Sequence, residues 1–248
     1  MSITYVCCYW LSPDAGDSRE TELRRYFDLQ IYLKKRLGCQ QLIVTNIDYP
    51  GAIAMKLPPK FTPKHALYTR YYGLKQLVES GLEFPICLHD HDFFNAQSLP
   101  HDSEAMLVGA LIDGLFSEQV VVYPETSKQA VIDYADMLWD PDFEGHLQSG
   151  YGTESRHEGN YSTEQTIANL AIRPFESIPI RKAINVKDQV SFDIVDQHSL
   201  DIGETACEAI PPGTAGIHGH INKGQATEVM LDWLASKLSS LPEHSSPK

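Results

Sequence analysis

The chain has 248 residues, 42% of them hydrophobic, enough for one large α/β domain around a packed core. Lys and Arg number 20 against 33 Asp and Glu, a formal net charge of -13, so most of the surface repels polyanions and nucleic acid is not a favoured partner. The five cysteines (Cys7, Cys8, Cys39, Cys87 and Cys207) are odd in number and lack CxxC spacing, which predicts reduced, mostly buried thiols and not a disulfide frame.

Ile3 to Trp10 is rich in β-branched and aromatic residues without clean alternation, as in a core strand covered on both faces. After a polar loop, Asp17 and Glu20 have the spacing of an N-cap and its reciprocal acid, and a helix is expected to run to Leu37 and stop at Gly38. Gln41 to Thr45 predicts a second strand, ending in the turn residues Asn46 to Gly51. Thr62-Pro63 is a helix start, and that helix carries Arg70 and Lys75 to a stop at Ser80-Gly81. Phe84 to Leu88 is a third strand, running directly into His89-Asp90-His91-Asp92.

Farther on, Asp102 to Leu115 is expected to be helical, Val120 to Tyr123 a strand, and Thr126 to cap a helix through Trp139. Residues 140 to 160 are Gly-, Ser- and His-containing and predict a long irregular loop of the kind kept for binding sites. Ser162 and Thr163 open a short helix, Glu164 to Ile172, and residues 175 to 200 are expected as short strands and turns. A Gly-flanked segment, Gly216 to Gly224, precedes an amphipathic helix from Ala226 to Leu238, with a polar, disordered tail over 239–248.

Strands alternating with helices predict a single α/β domain over 1–238, with a mostly parallel central sheet flanked by helices. Such sheets bind ligands at the carboxyl ends of their strands, which is where Asp90 and Asp92 fall. No run approaches the roughly 20 apolar residues of a membrane span. The apolar start lacks the basic flank and cleavage pattern of a secretory signal, so a cytoplasmic protein is expected.

In an extended backbone, side chains at i and i+2 share a face, so Asp90 and Asp92 would present two carboxylates together while His91 points away. Two hard oxygen ligands suit Mn²⁺ or Mg²⁺, with phosphate oxygens and water completing the shell. His218 and His220 are candidates for a nitrogen ligand, either chelating together or one of them completing the carboxylate site. Lys223, close behind, is a candidate partner for a diphosphate.

The order strand, helix, strand, helix with Arg70 and Lys75, then a strand ending in DxD resembles the donor half of GT-A glycosyltransferases. The resemblance covers residues 3 to 224 in the order and kind of elements. It implies a nucleotide-sugar-binding half over about residues 1–100 and an acceptor and catalytic half over 101–238. Under it, Asp90 touches the ribose or sugar and shares a cation with Asp92, and Arg70 or Lys75 faces sugar or phosphate. Tyr9 to Ser12, with Trp10 among them, and Asn46 to Asp48 hold base and ribose. Glu164-Gln165 is similar to the acid-Gln pair that opens a helix facing the donor sugar in several such families. His218 to Lys223 is similar to their late His-Gly-Lys segment. The implied donor is a nucleotide diphosphate sugar, a UDP-sugar first. The acceptor is left open among glycan, protein, small molecule and modified nucleobase.

A diphosphate leaves only when its developing charge is neutralised, and the reacting carbon then needs an acid, base or amide beside it. Glu164 is the first candidate, Glu154 and Glu158 the second. Two departures from the family pattern keep other chemistry open: the DxD is centred on His91 and preceded by His89, and no Pro-Trp follows Lys223. A His/Asp metallohydrolase and a nucleotidyltransferase are the alternatives, although Ser12 to Gly16 makes a poor phosphate loop for the second.

Overall fold

In a computed structural model, residues 2–57, 66–112, 115–116, 119–138, 173–188, 213–218 and 227–239 are described. The first strand, β1 (Thr4–Tyr9), has Tyr5, Val6, Cys7 and Cys8 all buried, as its unbroken apolar run requires when both faces are covered. It pairs in parallel with β2 (Gln40–Thr45) on one side and β4 (Ile86–His89) on the other. β3 (Ile53–Ala54) extends the sheet beyond β2, again in parallel. On the other flank β9 (Val120–Tyr123) lies antiparallel to both β4 and β6 (Met106–Val108), and β10 (Ile180–Lys182) closes that edge in parallel with β6. The seven-stranded order is β10-β6-β9-β4-β1-β2-β3, mostly parallel, as the alternation of elements predicts.

Side-chain alternation along β1 sorts the helices between the two faces. Val6 and Cys8 pack with α2 (Ala66–Glu79) and α3 (Lys128–Leu138), whereas Cys7 packs with α1 (Asp17–Arg36) and the last helix, α4 (Thr227–Ser239). α1 and α4 are further joined by Arg25 on Asp232, at 2.9 Å, and by Arg36 donating to the carbonyl of Leu238. None of the described helices is long and apolar enough to cross a membrane.

A second sheet, β11-β12-β5, stands beside the first and is built from β11 (Val186–Asp188), β12 (Gly216–His218) and β5 (Phe93–Asn95). β12 runs antiparallel to β5, with His218 opposite Phe93. A short hairpin, β7 (Leu111–Ile112) with β8 (Leu115–Phe116), completes the described strands.

Three sequence expectations are corrected. Where a helix is expected from Asp102 to Leu115, the described residues form β6 over Met106–Val108, β7 over Leu111–Ile112 and, at Leu115, the start of β8. Asp102 does accept hydrogen bonds from the amides of Glu104 and Ala105, as a helix cap would, but Met106, Leu107 and Val108 are all buried, which pairing between strands achieves and one helix face does not. Gly109 then lets the chain pass Val120, whose Cγ1 would lie 2.7 Å from a Cβ there. Asp17 is the first residue inside α1, with Gly16 at the cap position and no side-chain cap bond; Glu20 instead pairs with Arg24. Thr126 lies in a 3-10 turn (Glu125–Ser127) that leads into α3, where Ser127 donates to the Pro124 carbonyl. The expected start of α2 at Thr62-Pro63, the loop 140–160, the helix Glu164 to Ile172 and the tail from residue 240 lie outside the described residues.

Candidate metal centre

β4 ends at His89, and the Asp90 amide continues its ladder by donating to the Gln119 carbonyl at 2.9 Å. The backbone then reverses: the amide of Phe93 donates to the Asp90 carbonyl at 3.2 Å, closing a turn over Asp90 to Phe93. The chain therefore leaves the large sheet at Asp90 and enters the small one at Phe93. Asp90 and Asp92 meet through this turn and not through the extended backbone expected from their spacing.

β12 supplies the third member. His218 Nε2 lies 3.3 Å from Asp90 Oδ2 and 3.2 Å from Asp92 Oδ1, and one ligand atom from each of the three residues lies within 4.8 Å of the others. α2 supplies a cation on the opposite side, Arg70 Nη1 being 2.6 Å from Asp90 Oδ1. His91 points away, as expected, with its ring edge-on to Tyr9 (4.8 Å) and Tyr26 (5.3 Å) and its Nε2 3.1 Å from Arg19 Nη2.

The electrostatics follow from burial and partners. Burial opposes protonation of His218, but its hydrogen bonds to Asp90 and Asp92 and their charge outweigh it, and the imidazole is pushed up to about 10. Burial would raise Asp92, yet the imidazoles of His91 and His218 hold its carboxyl well below the usual carboxylate range. Burial pushes His91 itself down, against the charge of Asp92 and Asp90. The Asp92 carboxylate thus faces an imidazolium at His218. Two carboxylates from the turn between β4 and β5 and one imidazole nitrogen from β12 form a donor set that fits Mn²⁺ or Mg²⁺, and His218 would have to give up its proton to ligate the ion.

The other sequence-predicted residues divide. Tyr9 is half-buried beside the site, its hydroxyl accepting from Arg19 at 3.3 Å. Trp10 packs against the core on the α2 face. Asn46 clamps the neighbouring loop, accepting from the Leu11 amide at 2.7 Å and donating to the Leu11 carbonyl at 2.8 Å, while Ser12 accepts from the Asp14 amide and Asp48 is exposed. Lys75 is engaged elsewhere, with Asp136 of α3 and, at 3.6 Å, with Glu79. Five residues beyond Arg70, it points more than a third of a helical turn away from it. Glu154, Glu158, Glu164, Gln165, His220 and Lys223 lie outside the described residues.

Two contacts of the site were not anticipated from sequence, those of Arg19 and Gln30. Gln30 was detectable in principle, since with Lys34 it interrupts the buried stripe of Leu23, Phe27 and Leu33 on α1.

No protein-family model and no curated protein sequence matches the chain. Among solved structures it is similar to glycosyltransferases of the GT-A type. One acts in the glycosylation of the major capsid of PBCV-1, at 9% identity, TM-score 0.49, covering 94% of this chain and 100% of that one. Another is the galactosyltransferase LgtC in complex with donor and acceptor sugar analogues, at 10% identity, TM-score 0.46, covering 98% of each chain. A third is mouse xyloside xylosyltransferase 1, at 9% identity, TM-score 0.47, covering 90% and 99%. The likeness is one of layout, a mixed α/β fold with a mostly parallel central sheet.

Proposed function

We propose that this chain is a divalent-metal-dependent glycosyltransferase that takes its sugar from a nucleotide diphosphate donor, a UDP-sugar first. The observation that carries the reading is the convergence of Asp90, Asp92 and His218 at the carboxyl end of β4. Asp90, Asp92 and His218 would hold Mn²⁺ or Mg²⁺, with His220 as the other histidine candidate. The ion supplies neutralisation of the charge that grows on a departing diphosphate.

The protein's own residues do the rest. Arg70 fixes the orientation of the Asp90 carboxylate and keeps positive charge close to where phosphate or sugar would lie. Tyr9 and the loop ends held together by Asn46 offer a wall for base and ribose. Lys223 is assigned to the diphosphate. Glu164, with Gln165 beside it and Glu154 as second choice, is assigned to the reacting carbon. Glu164→Gln is expected to keep Mn²⁺-linked nucleotide binding and lose sugar transfer. Free thiols at Cys7, Cys8, Cys39 and Cys87 support a reducing, cytoplasmic setting.

A His-rich hydrolase site is not supported. Among the described residues the metal-capable group is Asp90, Asp92 and His218, while His89 faces Gln41 and the Asp90 carbonyl and His91 faces Arg19. The deciding experiment is a thermal-shift screen with Mn²⁺ against UDP-, GDP-, CMP- and TDP-sugars. A ligand bound by the native state alone raises the melting temperature by mass action, and the absence of any Mn²⁺-dependent shift would sink the reading.

A further inference from the structure

We infer that Gln30, on α1 and far from the DxD segment in sequence, is the positioning residue that sets the direction of the Asp92 carboxylate relative to Asp90. This inference rests on the proposed metal site.

The side-chain amide of Gln30 donates to two successive carbonyls, that of His91 at 2.6 Å and that of Asp90 at 3.3 Å. Those carbonyls belong to the two peptide planes on either side of His91, and a planar peptide turns as one body. Holding both oxygens therefore fixes the Cα–Cβ direction at position 91, and, because the Phe93 amide is held by the Asp90 carbonyl and so fixes the peptide plane that follows Asp92, the direction at position 92 is set with it. The Asp90 carbonyl also accepts from the Phe93 amide and lies 2.8 Å from His89 Nδ1, so local contacts already define it. His91 O takes its hydrogen bond from Gln30, and that contact carries the reach to Asp92.

The amide itself is rigidly mounted. Gln30 is fully buried, and the helix that bears it also holds the His91 ring through Arg19. Its Oε1 has no hydrogen-bond partner among the described residues. An apolar side chain of similar length removes the hold on the turn together with the unpartnered Oε1, and leaves the His91 carbonyl without its donor, a loss of stability that the control variant and a melting curve read separately from metal affinity. Loss of an outer hydrogen bond that orients metal ligands weakens metal binding about 10–100-fold.

The test is a Mn²⁺ titration followed by electron paramagnetic resonance on wild type, Gln30→Met and Lys34→Met. Lys34 lies one helical turn farther on the same buried face and touches neither carbonyl, so it controls for repacking under α1. The expected result is a Kd for Mn²⁺ raised at least tenfold in Gln30→Met. A broadened bound-ion line shape at saturating Mn²⁺ should accompany it, with Lys34→Met binding as wild type does. Wild-type affinity and line shape in Gln30→Met would overturn the inference. So would its failure to fold while Lys34→Met folds, or an equal loss in Lys34→Met. If wild type itself binds no Mn²⁺, the metal site falls, and this inference with it.

Discussion

A Cβ built on Gly216 would lie 2.5 Å from Cζ of Phe93, on a ring that is itself fully buried, and 2.9 Å from the carbonyl oxygen of Phe94. β12 can approach β5 because residue 216 carries no side chain, and that approach brings His218 up to the two aspartates. Gly216→Ala is therefore expected to cost about 1–3 kcal/mol by overpacking. That corresponds to a fall in melting temperature of about 2–4 °C per kcal/mol for a chain of this size. Mn²⁺ affinity should fall with it. Calorimetry and a Mn²⁺ titration on the same sample check both, and a wild-type melting temperature would contradict the close approach.

Asp92→Ala removes one of the two anionic oxygens that face His218. Metal-linked nucleotide binding should disappear while the far-ultraviolet circular dichroism stays that of the wild type. Undiminished Mn²⁺-dependent affinity for UDP in this variant would refute the role given to Asp92.

His218→Ala leaves Asp90 and Asp92 without the imidazolium between them. A hydrogen bond between charged groups of this kind contributes about 2 kcal/mol, so the urea midpoint should drop accordingly. Added Mn²⁺ should restore little of it, because a nitrogen ligand has gone as well. Recovery of the wild-type midpoint on adding Mn²⁺ would mean that the carboxylates bind the ion unaided.

Lys34 predicts a pH dependence. Its ammonium is fully buried above the Tyr5 ring, at 4.6 Å, and near the Phe93 ring, with Nζ lacking a hydrogen-bond partner among the described residues. Burial drives its pKa down to about 8, against the opposing influence of Cys87, Cys7 and Cys39. Between pH 8 and about 10.5 the unfolded chain then holds a proton that the native chain has lost, so this group's contribution to stability rises with pH. At neutral pH it costs about 3 kcal/mol, the free energy of the shift. Buried Cys7 and Cys87, pushed up to about 12, and the phenol of Tyr5, also pushed up, contribute with the opposite sign above pH 9. His89 nearby is held neutral throughout that range by burial. The comparison with Lys34→Met cancels these shared terms. Lys34→Met should be the more stable protein at pH 7, and its advantage should shrink as the pH approaches 10.5. An advantage unchanged over that range would show that Lys34 does not titrate as described.

Much of this framework was legible in local sequence. β1 and β9 are nearly unbroken apolar or aromatic runs, β2 and β4 carry shorter ones in Leu42 to Val44 and Ile86 to Leu88, and α1 and α4 announce themselves by amphipathic spacing and polar or glycine ends. Asp102 to Leu115 was not legible, because a cap-like Asp102 and a mixed pattern favour a helix locally, while the empty slot beside β9 decides the outcome. The site divides in the same way. Asp90 and Asp92 stand at a strand end and can be found by inspection, and His218 could be narrowed to one of two histidines. Gln30, Arg19 and the partner of Lys75 are settled by contacts between elements distant in the chain, which no window of sequence contains.

The turn from Asp90 to Phe93 hands the chain from the large sheet to the small one, and His218 arrives from the small one alone. An ion bound there would act as a clasp across two separately built layers. Sliding of β12 along β5 would be felt as a change of coordination, and withdrawal of the ion as a loosening between layers. Folding kinetics should carry the same signature: the ion can be captured only once both sheets are docked, so it slows unfolding more than it speeds folding.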